Sequence, residues 1–128
     1  MNTQRFNFLR MSTIIVMLFL FAATNPARGA ILSVINTNDS GAGSLRQAIA
    51  SANGSTNVAD TINFAIPGTG PHTIAPVTPL PNLTDRILID GYSQSGSSSN
   101  TLSAGDNAVL QIVVLEGLII DTTNSTVR

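Results

Sequence analysis

The 128-residue chain contains no lysine, no cysteine and no tryptophan. Without cysteine there is no disulfide, no thiolate nucleophile and no cysteine-based metal site. Without lysine the positive charge rests on six arginines, and Arg5, Arg10 and Arg28 all precede Ala30. From Ala30 onward Arg46, Arg86 and Arg128 face Asp39, Asp60, Asp85, Asp90, Asp106, Glu116 and Asp121, three against seven, a formal net charge of −4. Such a surface argues against nucleic acid, whose affinity rests on neutralising phosphates. It argues equally against a polybasic contact with a membrane. Aromatic side chains are scarce, with only Phe64 and Tyr92 after residue 29. A carbohydrate-binding β-sandwich, which needs exposed aromatic platforms, is disfavoured. The single histidine, His72, stands between Pro71 and Thr73 with no evident base or ligand partner, and reads as a surface turn residue.

What is present begins with the three-part pattern of an export signal over residues 1–29. Arg5 and Arg10 give a positive start, Ile14–Ala23 an uncharged apolar core, and Ala27-Arg28-Gly29 small residues at the two positions a signal peptidase reads. Cleavage is expected after Gly29, with Ala27 and Ala30 as alternative ends. An uncleaved anchor would need about 20 apolar residues. The run Met11–Thr24 is shorter and is followed at once by Asn25-Pro26. No stable membrane span is therefore expected after cleavage. The remainder is one domain at most. At this size only about 65% of the unfolded surface is buried. A small exported domain without disulfides needs another source of stability, such as repetition or a larger whole.

After the signal, residues 30–56 read as a strand and a helix, and residues 57–128 as short strands. Ile31–Asn36 is β-branched and partly alternating. Thr37–Gly43 is turn chemistry. Ser44-Leu-Arg-Gln47 fits a capping box, in which the Ser hydroxyl accepts from the N–H three residues on and the Gln side chain reaches back. Leu45, Ala48, Ile49 and Ala52 make one apolar helical face, and Asn53-Gly54 offers a left-handed stop. A helix of about ten residues cannot stand alone and must lie on something apolar. Ile62, Phe64 and Ile66 alternate along a second strand. Pro67–Pro71 turns a corner, and Thr73–Ile74 is at best a very short strand. Pro76, Pro79 and Pro81 forbid a regular central strand there. Ile87–Ile89, Val109–Leu115 and Leu118–Ile120 are further strands, and Tyr92–Gly105 is a Ser/Gly/Asn loop. The apolar runs near Phe64, Leu88 and Leu110 recur about every two dozen residues, a coil length of a β-solenoid. Periodicity alone leaves sandwich and solenoid both open.

Several segments together carry a resemblance: Asn38–Ile49, Asp60–Phe64, Pro67–Ile74, Ile89–Gly96 and Asn124–Arg128. They resemble the N-terminal region of secreted bacterial right-handed parallel β-helix proteins, the group marked by a Cys-Ser-Leu-Arg-Glu-Ala-type motif. Here that motif is Gly43-Ser-Leu-Arg-Gln-Ala48, with Gly43 and Gln47 in place of Cys and Glu. The resemblance implies a mainly β fold, the start of a right-handed parallel β-helix capped by one short N-terminal α-helix. Leu45, Ala48 and Ile49 would sit on the first coil, because solenoids need polar end caps and open strand edges invite aggregation. It also implies that the chain is a fragment, ending near Thr126–Arg128 where another coil should begin. Its partners would be further coils of the same chain, self-association through the open end, or extracellular polysaccharide and cell-surface components.

No catalytic, cofactor-binding or metal residue is assigned. Asp85, Arg86 and Asp90 are of types that β-helix polysaccharide lyases use for Ca²⁺ and as base, but they lie in one segment, and Asp85-Arg86 fits a strand-start ion pair equally well. Asp106, Glu116 and Asp121 lack an Asp-x-Asp-x-Asp spacing. Asn38, Asn53, Asn82 and Asn124 begin Asn-x-Ser/Thr tripeptides, common by chance in such chains. The serines of Ser93–Ser103 have no Gly-x-Ser-x-Gly context. The expected function is an exported extracellular or cell-surface structural protein without catalysis, or else the leading fragment of a β-helix acting on polysaccharide.

Overall fold

The structure, a computed structural model, describes residues 28–55 and 58–128. The export-signal reading falls almost wholly on residues outside this range. Among the described residues no helix is long and apolar enough to cross a membrane.

The chain is mainly β, with β1 (Ile31–Val34), α1 (Leu45–Asn53), β2 (Asp60–Phe64), β3 (His72–Ile74), β4 (Ile87–Asp90), β5 (Ile112–Val114) and β6 (Thr126–Val127). Every named strand pair is parallel. One sheet has the order β1-β2-β4-β6 and the other pairs β3 with β5. A sandwich of antiparallel hairpins is therefore not what forms. Two isolated bridges lie outside these sheets, a parallel one between Leu83 and Ile120 and an antiparallel one between Ser98 and Val109.

The register stacks like on like. Leu32, Ile62, Ile89 and Val127 are successive Cα partners across the first sheet. Ile74 pairs with Val114, and Leu83 bridges Ile120. Burial follows position in each row. Ile62 is 0% exposed and Ile89 3%, but Val127 is 48% exposed. Leu83 is 0% exposed while Ile120 is 46%. Ile62, Ile89 and Leu83 are thus covered, Leu32 and Val114 are half-buried against the core, and Val127 and Ile120 are exposed. Pro76, Pro79 and Pro81 lie between β3 and β4, where no regular strand forms.

Ser44 is the N-cap of α1. Its Oγ accepts from the Gln47 backbone N–H at 3.2 Å and donates to the Gly41 carbonyl at 2.8 Å. The reciprocal half of the capping box does not form, because the Ser44 N–H donates to the Gly41 carbonyl at 3.2 Å; the Gln47 amide nitrogen donates to Ser51 Oγ at 3.2 Å. Gly54 ends the helix at φ −81°, so its left-handed freedom is unused. The buried face is Leu45, Ala48, Ile49 and Ala52, packed against β1 and β2. Gly43 has φ +77°, and a Cβ there would lie 2.4 Å from Ile35 Cγ1. The cysteine of the motif group would be strained at this position.

The run near Leu110 belongs with β5 in the other sheet, not in line with Phe64 and Leu88. Partners within the first sheet are 30, 27 and 38 residues apart (Ile31–Thr61, Asp60–Ile87, Leu88–Thr126).

Candidate functional site

Three places bring functional side chains or surfaces together, and the first is the clamp around the helix start. Arg46 points out of α1 and gathers two loops. Its Nη2 pairs with Asp39 Oδ1 at 2.7 Å and also donates to the Thr78 carbonyl at 2.6 Å. Its Nη1 donates to the Pro79 carbonyl at 2.7 Å, and its Nε to the Asp39 carbonyl at 3.0 Å. Asp39 Oδ1 accepts in addition from the Val77 N–H at 2.9 Å. The motif arginine is thus spent on backbone carbonyls and one carboxylate. The Arg46 hydrogen bond, and after it the Val77 N–H, hold the Asp39 carboxyl below its ordinary value of 3.8.

A lowered carboxyl stabilises the fold above its ordinary value, and that contribution disappears as pH falls through the lowered one. Asp39→Asn should therefore melt below the parent at neutral pH. The gap should close as the pH is taken well below 4 in a thermal-melt series. A gap that stays constant with pH would show that the carboxylate charge does not matter there.

The second place surrounds Gly91–Ser93, a single 3₁₀ turn after β4. Asp90 Oδ1 accepts from the Tyr92 N–H at 3.1 Å, and Asp90 Oδ2 pairs with Arg128 Nη2 at 2.9 Å. Ser93 Oγ donates to the Asp90 carbonyl and accepts from the Phe64 N–H at 2.7 Å. Gln94, 2% exposed, sends its amide to both sides of Ile66, accepting from the N–H at 2.8 Å and donating to the carbonyl at 2.9 Å. A side chain here takes the place of a strand neighbour. Gln94→Ala leaves both buried Ile66 groups unpaired and should cost about 1–3 kcal/mol in urea unfolding. Gln94→Glu should cost more, since it sets a carboxylate against the Ile66 carbonyl. An unchanged midpoint for either variant would show that water replaces the amide.

The third place is the apolar end. A cavity of about 190 Å³ is lined by Phe64, Ile89, Ile112, Val114, Leu118 and Val127 among others. Leu110, which also lines it, is 63% exposed, and Leu115 and Ile119 further along the chain are more than half exposed. β6 is one edge of its sheet, and β1, on which α1 packs, is the other.

The structure keeps the remaining candidates apart. Asp85 Oδ1 accepts from the Arg86 backbone N–H at 2.7 Å. Asp106 accepts from the Ala108 N–H at 2.8 Å, and Asp121 from the Asn82 amide. Among the described residues no three His, Cys, Asp or Glu side chains gather as a metal site would require. Asn53 is a tie between elements, donating to the Asn82 carbonyl at 2.7 Å and accepting from the Thr84 N–H at 2.9 Å. Asn124 adopts φ 66°, Asn38 donates its N–H to Asn36 at 3.1 Å, and Ser97 and Ser98 serve local backbone bonds. His72 is not a surface turn residue. It lies two positions before buried Ile74 on β3, so it shares the inward face, and its Nε2 is buried without a hydrogen-bond partner. That orientation could be read from the alternation before Ile74. The buried Gln94 could not, because nothing in a Ser/Gly/Asn stretch marks one amide as structural.

A scan of family models, a search of curated proteins and a search of solved structures each found no match for this chain.

Proposed function

We propose that this chain is an exported structural protein, the capped N-terminal end of a right-handed parallel β-helix, with no catalysis of its own. The observation that carries the reading is the burial gradient along the stacked rows. Ile62 and Ile89 are covered by the next rung, whereas Val127 and Ile120 are half exposed beside a free strand edge. The other end carries α1, packed on β1 and β2. An end with a polar-faced helix and an end with unpaired strands and apolar side chains suit a module that accepts further strands on one side only. The polar clusters support the same reading, since Arg46, Asp39, Gln94 and Ser93 are engaged with backbone.

Intact masses of the native product from cell and secreted fractions test this. A secreted species lacking about the first 29 residues is expected, with no release of new sugar ends from a panel of polysaccharides. A product that keeps residues 1–29 and stays in the cell would overturn it. One observation favours a second reading, the leading part of a polysaccharide-cleaving β-helix. Asp90 ends β4 and Arg128 follows β6, the neighbouring strand of the same sheet, and their side chains pair at 2.9 Å. Polysaccharide cleavage lost in Asp90→Ala would establish that reading.

A further inference from the structure

Asp60 is the one carboxylate of the chain that is buried without an arginine. It is 1% exposed, and the salt bridges among the described residues join Arg46 to Asp39 and Arg128 to Asp90. Its Oδ2 accepts from the Ser55 hydroxyl. Its Oδ1 accepts from the backbone nitrogen of Ala30 at 2.7 Å. A carboxylate withdrawn from water is costly unless a positive charge meets it, and here both donors are neutral in the unprocessed chain.

The nitrogen that meets Asp60 belongs to the residue just after the expected cleavage point. Ala30 is also held from its other side, its carbonyl accepting from the Thr61 N–H at 2.9 Å. Gly29 runs so close to β2 that a Cβ on it would lie 1.8 Å from the Ala59 carbonyl oxygen. We propose that cleavage between Gly29 and Ala30 converts this nitrogen into an α-ammonium that pairs with buried Asp60, so that processing completes the fold. The inference rests on the export reading and adds which bond is cut and why it matters.

The chemistry is peptide hydrolysis by a signal peptidase. The Gly29 C–N bond breaks, water's hydroxyl goes to the Gly29 carbonyl carbon, and its proton to the Ala30 nitrogen. A second proton from solvent makes the ammonium, which is the main form of an α-amine below its ordinary pKa of about 7.7–8. Cleavage after Ala27 would leave the Ala30 nitrogen an uncharged amide. Cleavage after Ala30 would remove it. Of the three cleavage points the sequence allows, only one sets a charge on the atom beside the carboxylate.

The absence of lysine makes the test clean, because the α-amine is the sole primary amine once the signal is gone. The full chain is expressed, the exported product collected, and its start read by intact mass. It is then treated with N-hydroxysuccinimidyl acetate at neutral pH, and the single mass increment is followed in time. The start should be Ala30. The native amine should react about tenfold or more slowly than in urea, as expected for an ammonium stabilised by one pKa unit or more. Asp60→Asn should remove most of that protection. Because that variant can fail to fold, wild-type protein acetylated in urea and then refolded gives a second measure, and should melt several degrees below the untreated chain. A mature start other than Ala30, or a native amine as reactive as the unfolded one, would overturn the inference while leaving export standing. An uncleaved precursor would overturn the export reading itself.

Discussion

Leu45→Asp should lower the melting temperature by roughly 15–30 °C, taking about 4–8 °C per kcal/mol for a domain of this size. Leu45 is 1% exposed on the face of α1 that packs against β1 and β2. Removing its apolar atoms alone costs about 2–5 kcal/mol. The carboxylate adds the penalty of an unpaired polar group in an apolar site. The sum approaches the whole stability of a small domain, about 5–15 kcal/mol. Ala50, exposed on the same helix, is the control, and Ala50→Asp should move stability by no more than about 0.5 kcal/mol. Circular dichroism melts of the two variants decide the matter. Equal melting points would show that α1 does not pack where it is described.

The second large effect is a contrast within one row. Ile62→Ala should cost about 2–5 kcal/mol, the range for a large aliphatic residue truncated in a closed core. Ile62 has a partner above and below, Leu32 and Ile89, and is 0% exposed. Val127 is the same row's last member and 48% exposed. Val127→Ala should cost under about 1 kcal/mol, since about half of its surface stays in water on folding. Urea midpoints at constant m-value give both numbers. The proposed function adds a further expectation. If further strands cover this end in the native protein, Val127→Ala should become as costly there as Ile62→Ala. A small Val127 effect in both forms would count against coverage.

Much of this could be read from residue patterns. Ser44-x-x-Gln47 marked the helix start, and the Leu45, Ala48, Ile49 and Ala52 spacing marked its buried side. Ile62, Phe64 and Ile66 alternated and are all buried. The functional details were less legible, each for a physical reason. The Ser44 N–H, which a capping box would give to Gln47, goes instead to the Gly41 carbonyl of the preceding turn. Arg46 had no assigned role, because its acceptors on Thr78 and Pro79 are more than thirty positions away. Asp60 stands two residues before Ile62, one position outside the strand expected from the alternation, and the structure starts β2 on it. What hid its role was the distant Ala30 nitrogen. Pairing across such separations is set by register, and register is invisible until the strands are stacked.

The order of stacking also has a consequence in time. A chain made from its N-terminus presents β1 first, and β1 finds β2 about 30 residues later. β4 joins after another 27 residues, and β6 after 38 more. No strand pair waits for a partner from the far end of the chain. Closing each loop costs entropy that rises only with the logarithm of its length, so every rung meets a similar barrier and offers the next one a finished template. Folding can therefore keep pace with synthesis, like a row of stitches closed in order, and an interruption leaves a shorter stack rather than a tangled one.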